Sequence, residues 1–530
     1  MVLRPCKSIT LQSMFSERAA HGAALLGDPK GDLIHGKCSF DPKQNKWVVE
    51  AGILAQLVAS GQSDRIILCY ADPAKAKGRF VQWPLIRWSN HPDPLVRAHL
   101  NELFLEHFIA LGFTTQQIKD GTLSPLKYKY AKAGGAVIQG LPTVPAKEML
   151  HLMNPRSDMW RWLLDNTTNQ QAADEFRLAA ANAKGKPSFY YSEVGSSLRM
   201  YDFLGLTPVW THDGTSLDWK QVILDQKIVL LDLSGVSVAA CRTLFMSAYT
   251  NAIHACKELF DESNQIPHAL HVAGDEVGRY GWVTPFMVTS IQEGRAWGFS
   301  WDGATQTIED IQPPELREQL FGLVDMYFHH MSSGLERSAQ AIADVKFKAD
   351  AVLDTHERQI NAGMKEVRFK TSSENENETI LAGPGHKKNK GKSRSTKEHV
   401  SFQADFKTIV DKVFKTPQVQ LSEIKAELSS LAVGQFYFKG FSGASIQTTQ
   451  MPAPAWVLED EFLPSLGMTL YEARMAEAVE RIRSDPKLYS PPREWQIPSN
   501  NGETISLPTS KPGPTPKVQT PKGGNGMRGS

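Results

Sequence analysis

Four short, unbroken apolar runs stand out from a helix-patterned first half of the chain: Gly22–Asp28 (GAALLGD), Arg65–Asp72 (RIILCYAD), Lys227–Ser234 (KIVLLDLS) and His268–Asp275 (HALHVAGD). None alternates with polar residues, and each closes on an acidic or small residue. This is the pattern of strands covered on both faces in a parallel sheet, whose chemistry gathers at the strands' carboxyl ends. Between the second and third runs the apolar spacing changes to three and four, from Leu95 to Phe113 and again from Trp160 to Ala183. That spacing predicts helices. A mainly helical block of well over 100 residues therefore interrupts the strands and has the look of an inserted domain.

After Ala339 the pattern changes. Residues 340–370 are charged and helix-favouring, and Thr371–His399 lose apolar content while carrying Lys387, Lys388, Lys390, Lys392, Arg394 and Lys397. A stretch so poor in apolar residues predicts a solvated, flexible loop. Order is expected again from Phe402, with an amphipathic helix over Leu421–Leu431, an aromatic strand over Gly434–Gly440 and a helix over Leu470–Arg483. The Pro/Gly/Ser/Lys-rich tail from about Pro491 to Ser530 is expected to be disordered. These shifts divide the chain into 1–90 and 186–345 (two parts of one α/β core), 91–185 (helical insertion), 346–400 (charged helix and basic loop), 401–450 (last core elements) and 451–530 (helix and tail).

Composition narrows the partners. With 530 residues, 58 Lys and Arg against 57 Asp and Glu, and 41% hydrophobic residues, the chain can bury a sizeable core but carries no whole-molecule field to draw it onto nucleic acid or an anionic membrane. Any such binding must be local. The basic run at 387–397 is a candidate for phosphate contacts, yet it holds no aromatic residue to stack bases, and a solubilising loop is the commoner meaning. Five scattered cysteines (Cys6, Cys38, Cys69, Cys241, Cys256) make no disulfide framework and point to a reducing compartment, and no apolar run reaches the ~20 residues of a membrane span. A cytoplasmic location is the expectation. His35 with Cys38, and His254 with Cys256, lack a second pair at metal-ligand spacing and are read as structural.

The strongest chemical signal is the fourth strand, which closes on the adjacent carboxylates Asp275 and Glu276. In a Walker B layout the first acid organises the hydration shell of Mg2+ and the second activates water; equally, many α/β strands end in solvated acids with no such role. Downstream, Ser290–Gly298 brings Arg295 to a helix end, and Phe299–Ala304 leads into Thr305 and Gln306. A strand-end Gln beside a phosphate site can sense the γ-phosphate, and an Arg can meet charge on a neighbour's nucleotide. The bland readings are a turn-capping amide and a surface ion pair.

Gly-Asp-Glu at 274–276, Gln-Glu-Gly-Arg-Ala-Trp-Gly at 292–298 and Ala-Thr-Gln at 304–306 resemble, in order and spacing, the Walker B, arginine-helix and sensor-Gln motifs of HerA/FtsK-like ring ATPases. Within that superfamily the chain is similar to type IV secretion coupling proteins of the TraD/TraG type. Asp28-Pro-Lys-Gly-Asp-Leu33 resembles the segment after their Walker A helix, and Lys7-Ser-Ile-Thr-Leu-Gln12 the end of their phosphate-binding loop. The resemblance spans roughly residues 7–90 and 185–450. It implies a RecA-like P-loop NTPase core with an inserted all-α domain, ATP and Mg2+ as cofactors, and a hexameric ring through which DNA, single-stranded in this family, passes to relaxosome and type IV secretion channel proteins. It further implies that Lys7 holds the β/γ-phosphates, Ser8 and Asp275 organise Mg2+, Glu276 polarises water, Gln306 senses the γ-phosphate and Arg295 acts across a subunit interface.

The departure lies at the start. A phosphate loop needs glycines so that backbone N–H groups reach the phosphates, whereas here Met1 and Cys6 stand at those positions with Pro5 between them. The strand expected to feed the loop is missing as well. The expectation is a truncated or degenerate copy whose membrane anchor and first strand belong upstream, with membrane contact only through that segment or a partner, and with negligible ATPase activity when isolated. Two other readings remain: a catalytically inactive ring subunit or adaptor for relaxosome proteins, and a HerA-like DNA-processing or packaging ATPase.

Overall fold

The structure, a computed structural model, describes residues 6–89, 91–112, 125–141, 143–205, 217–263, 265, 268–306, 310–323, 327–330, 352–379, 389–430, 435–439, 447–450, 457–491 and 495. The chain divides into two units, residues 1–334 with 431–530, and residues 335–430.

In the first unit, helix α1 (Cys6–Ala19) leads into β1 (Ala23–Asp28), an antiparallel pair β2 (Gly36–Asp41) and β3 (Lys46–Ala51), then β4 (Ile66–Tyr70), β5 (Ile228–Asp232), β6 (Leu270–Gly274) and β7 (Phe299–Gly303). Five of these make an all-parallel sheet in the order β4-β5-β1-β6-β7. The fold is α/β, as the apolar runs predict. Every residue of β1, β4, β5 and β6 is buried, which is why none of them alternates. β1 is central, with Leu25 level with Val229 of β5 and Val272 of β6.

The two faces are covered by different helices. α1 lies on the face of His271, where Phe15 packs against the imidazole and Arg18 pairs with Asp302 at 3.3 Å. The helix Val238–Ser263 lies on the other face, so close that a Cβ on Gly27 would come within 2.4 Å of the Phe245 ring. Between β4 and β5 the described residues are helical, chiefly Pro94–Gly112, Pro125–Gln139, Asp158–Asn166 and Gln170–Asn182, with helical turns continuing from Pro187 to Gly205. Gly135 lets the first two helices touch, since a Cβ there would sit 2.7 Å from Leu105. Trp83 donates its indole N–H to Ser247 at 2.8 Å, and Arg87 reaches the carbonyl of Asn251 and the carboxylate of Glu258, tying the start of this block to the long helix.

The last described helix, Leu470–Ile482, opens with a capping box between Thr469 and Glu472 and packs beside β4. Just after it, the 2% exposed Arg483 donates to the carbonyls of Ala76 (2.8 Å), Arg79 and Lys75 while stacking between Tyr70 and Tyr489. Tyr489 in turn accepts from the backbone N–H of Leu68 at 2.9 Å. β8 (Tyr327–His330) joins the strands Gln435–Lys439 and Gln447–Gln450 in a small antiparallel sheet. The expected disordered tail lies outside the described residues apart from Pro491 and Trp495, whose ring meets that of Trp162.

The second unit corrects the expectation for residues 346–400. In place of a charged helix and a loose loop stand β9 (Val352–Thr379) and β10 (Asn389–Phe414), paired antiparallel along nearly their whole length, followed by the helix Pro417–Ser430. Both faces of the described middle of this ribbon are exposed, so polar residues occupy much of both, and the two-residue apolar alternation that betrays a strand is confined to short stretches such as Val400, Phe402, Ala404 and Phe406. Lys390, Lys392, Arg394 and Lys397 sit on β10, and Lys387 and Lys388 lie outside the described residues. β11 (Gln435–Lys439) and β12 (Gln447–Gln450) follow, then β13 (Val457–Asp460), which pairs with β3.

Arg483 should be the costliest polar residue to truncate at this edge. Arg483→Ala strips three carbonyls of their donor and leaves a gap between two tyrosines, an expected loss of about 3 kcal/mol in urea unfolding. A change within about 0.5 kcal/mol, the range of ordinary surface substitutions, would refute the assignment.

Candidate functional site

Parallel strands deliver their carboxyl ends to one edge of a sheet, and here that edge collects acids. Asp28 ends β1, Asp232 ends β5, Asp275 and Glu276 follow β6, and Gln306 follows β7. All four carboxylate residues are buried. Glu276 is fully buried and holds φ at 57°, a left-handed conformation that costs a non-glycine residue about 1–2 kcal/mol. That turn aims its side chain back over the sheet edge. Glu276 Oε1 accepts from Lys30 Nζ at 2.7 Å and from Gln306 Nε2 at 2.9 Å.

Lys30 reaches this position through a tight turn after β1. Asp28 accepts from the backbone N–H groups of Lys30 (3.0 Å), Leu33 (2.8 Å) and Ile34 (3.0 Å), folding Pro29–Ile34 back on itself. Gly31 sits at φ 77°, and a Cβ there would be 3.0 Å from Asp232, so both conformation and space require glycine. Beside it Asp232 accepts from His35 Nε2 (3.0 Å), Lys75 Nζ (2.9 Å) and the Ser234 N–H (3.0 Å).

The protonation states follow from this crowding. Burial, reinforced by the charges of Asp275 and Asp232, pushes Asp28 up from 3.8 to about 6 despite the N–H groups that favour its ionised form. Asp232 goes the other way: burial would raise it, but His35, Ser234 and Lys75 outweigh that and hold it at about 2. Burial draws Lys30 down, yet its bond to Glu276 and the charges of Glu276 and Asp275 bring the net shift upward.

The residues expected to act in nucleotide chemistry separate into three groups. Asp275, Glu276 and Gln306 share the carboxyl edge, with Gln306 bonded directly to Glu276. Lys7 and Ser8 fall in the first turn of α1, whose 14 residues (~21 Å) run back along β1 from a three-residue turn, so the helix starts at that same edge. Their side chains, and all of residues 1–5 where the phosphate loop is expected, lie outside the described residues. Arg295 is exposed in the turn that precedes β7, at the amino edge, about one five-residue strand (~16 Å) from Gln306. Within one chain it does not join the others.

Asp28 and Lys30 lie in the segment Asp28–Leu33 that the resemblance singles out without giving either a role, and nothing in the motifs foretells the Asp232–His35–Lys75 group. The histidine–cysteine pairs are separate, structural contacts: His35 bonds Asp232, Cys38 bonds Thr469, His254 bonds His107 and Cys256 bonds the Trp297 carbonyl. Among the described residues no three acidic, histidine or cysteine side chains surround a point that would hold a metal unaided. The hard oxygen donors of Asp275 and its neighbours nonetheless suit Mg2+, which is commonly held by one or two carboxylates with water and phosphate completing its shell.

No protein-family model matches the sequence, and no curated protein matches it. The structural likeness is to conjugative coupling proteins. The chain is similar to the bacterial conjugative coupling protein TrwBdeltaN70 in its trigonal form with sulphate (11% identity, 86% of each chain covered, TM-score 0.47) and in its unbound monoclinic form (10%, 85% of this chain and 94% of that one, 0.43). It is also similar to plasmid coupling protein TrwB in complex with ADP and Mg2+ (10%, 82% and 86%, 0.40). These likenesses are loose, and the chemistry of the site rests on this chain's own residues.

The two shifted aspartates give the fold opposite pH responses. Asp28, raised in the folded state, contributes stability below pH ~4 that is lost as the pH climbs through about 6, a swing of about 3 kcal/mol. Asp232, depressed in the folded state, contributes above pH ~4 and loses that contribution as the pH falls towards 2. In urea unfolding, the stability difference between wild type and Asp28→Asn should change by about 2 kcal/mol between pH 4 and 6.5. A difference constant across that window would contradict the assignment.

Proposed function

We propose that the chain is the nucleotide-dependent motor part of a DNA-transfer machine of the coupling-protein type. The observation that carries this reading is the convergence of Gln306 and Lys30 on one buried oxygen of Glu276, at the carboxyl edge of the parallel sheet. Mg2+ and ATP, when bound, supply the electrophilic phosphoryl group. Asp275 is the carboxylate that organises the cation's shell, with Lys7 and Ser8 at the start of α1 for the phosphates. Glu276 is the base that polarises water, and Gln306 holds its carboxylate in place.

Lys30 sets the resting state. Its ammonium lies 2.7 Å from Glu276 Oε1, so that carboxylate oxygen is engaged. At 40% side-chain exposure the lysine is free to turn outward, which would leave that oxygen to Gln306 alone. Arg295, at the opposite edge, serves a neighbouring copy in a hexameric ring. DNA and the relaxosome and secretion-channel proteins are the partners this reading requires. Among the described residues no helix is long and apolar enough to cross a membrane.

The same ion pair supports a second reading, an adaptor or silent ring subunit in which Lys30 closes the site permanently. Titration of the 530-residue chain with ATP and Mg2+, and turnover with DNA present, separates the two. The motor reading expects measurable nucleotide affinity, changed less than about threefold in Glu276→Gln, with turnover lowered by about 10²-fold or more as for loss of a general base. No affinity at millimolar nucleotide would assign the chain to the second reading.

A further inference from the structure

The β9–β10 hairpin is about 90 Å long at ~3.3 Å per residue, and among the described residues neither strand has a second neighbour. A two-stranded ribbon is marginal in water by itself, and a strand edge without a neighbouring strand is a template on which another strand can pair. Midway along it Met364, Val400 and Phe402 share one face, with Phe369 on the other, all between 50 and 74% exposed. So much apolar surface on so thin an element calls for a cover.

Charge says what the cover is. Towards the turn, β9 carries Glu374, Glu376 and Glu378 and no cation between Thr371 and Thr379, whereas β10 carries Lys390, Lys392, Arg394 and Lys397 and no anion between Asn389 and Lys397. The register sets Glu378, Glu376 and Glu374 opposite Lys390, Lys392 and Arg394. The ribbon thus has one acidic and one basic edge. A nucleic-acid arm would leave its cations without acids across from them; this one does not.

We propose that the hairpin is a self-association arm, in which β10 of one copy docks against β9 of the next to extend a single antiparallel sheet. β9 runs towards the turn and β10 away from it, so the docked strands are antiparallel when both hairpins point the same way. In that arrangement the cations of one copy lie level with the glutamates of the next, and the apolar patches lie level with each other. A two-fold contact that paired like edges where the turns overlap would set cation against cation or glutamate against glutamate, which is unfavourable. The contact is therefore heterologous, of the kind that builds rings or filaments. It goes beyond the nucleotide reading and does not depend on it.

Sedimentation of the 530-residue chain tests this with two triple variants, Lys390→Glu/Lys392→Glu/Arg394→Glu, which makes both edges acidic, and Glu374→Lys/Glu376→Lys/Glu378→Lys, which makes both basic. Wild type should self-associate, more weakly at ~1 M than at ~0.1 M salt as the Debye length falls from ~10 to ~3 Å. Each variant alone should associate at least tenfold more weakly, and an equimolar mixture should recover association. Mixing cannot repair a fault within one chain, so recovery reports contact between copies. The proposal is overturned if wild type stays monomeric, if either variant associates like wild type, or if the mixture stays dissociated. Loss of DNA binding in the acidic variant, with association untouched, would overturn it in favour of a nucleic-acid arm.

Discussion

The structure is organised around one electrostatic constraint: a parallel sheet sends its carboxyl ends to a single edge, and this sheet ends in acids. Asp28, Asp232, Asp275 and Glu276 are buried there together. Two like charges 4 Å apart cost about 4 kcal/mol even at an effective dielectric of 20, so such a cluster survives only with compensation. Three devices supply it. Lys30 is drawn onto Glu276, His35 and Lys75 onto Asp232, and Asp28 holds its proton to about pH 6.

Local backbone features follow from the same constraint. Lys30 reaches Glu276 because the chain turns sharply after β1, and that turn exists because Asp28 gathers three backbone N–H groups and Gly31 takes a left-handed conformation beside Asp232. Glu276 accepts a strained φ so that its carboxylate faces back over the sheet, towards Lys30 and Gln306. Strain at the meeting point of a carboxylate, an amide and an ammonium fits a place kept for chemistry better than an ordinary strand end. Short of that edge, the buried strands β1, β4, β5 and β6 are apolar but for His271 and the Tyr70 hydroxyl.

The core was legible because burial on both faces writes itself into the sequence as unbroken apolar runs. Ala23–Asp28, Ile66–Tyr70, Ile228–Asp232 and Leu270–Gly274 fall inside the runs that announce them. Asp275, Glu276 and Gln306 were legible from their positions at strand ends. Lys30 was not, because its role is fixed by a contact 246 residues away, which no local pattern records. The hairpin over 352–414 was illegible for the opposite reason to the core: with both faces in solvent, its strands alternate only locally, as over Val400–Phe406, and elsewhere charge and length resemble a helix or a loop as much as a strand.

Arg295 turns this geometry into a statement about assembly. It lies at the amino edge of β7 while Gln306 and Glu276 lie at the carboxyl edge, and a packed parallel sheet does not fold over to bring its edges together. Any meeting of Arg295 with that carboxylate cluster must join the amino edge of one copy to the carboxyl edge of another. Such a contact sets Arg295 of one copy against the carboxylate cluster of another, which a two-fold pairing makes twice, reciprocally, and a head-to-tail ring makes once at each junction. The acidic and basic edges of the hairpin distinguish these arrangements, because pairing unlike edges is compatible with head-to-tail repetition and not with a two-fold axis between the hairpins.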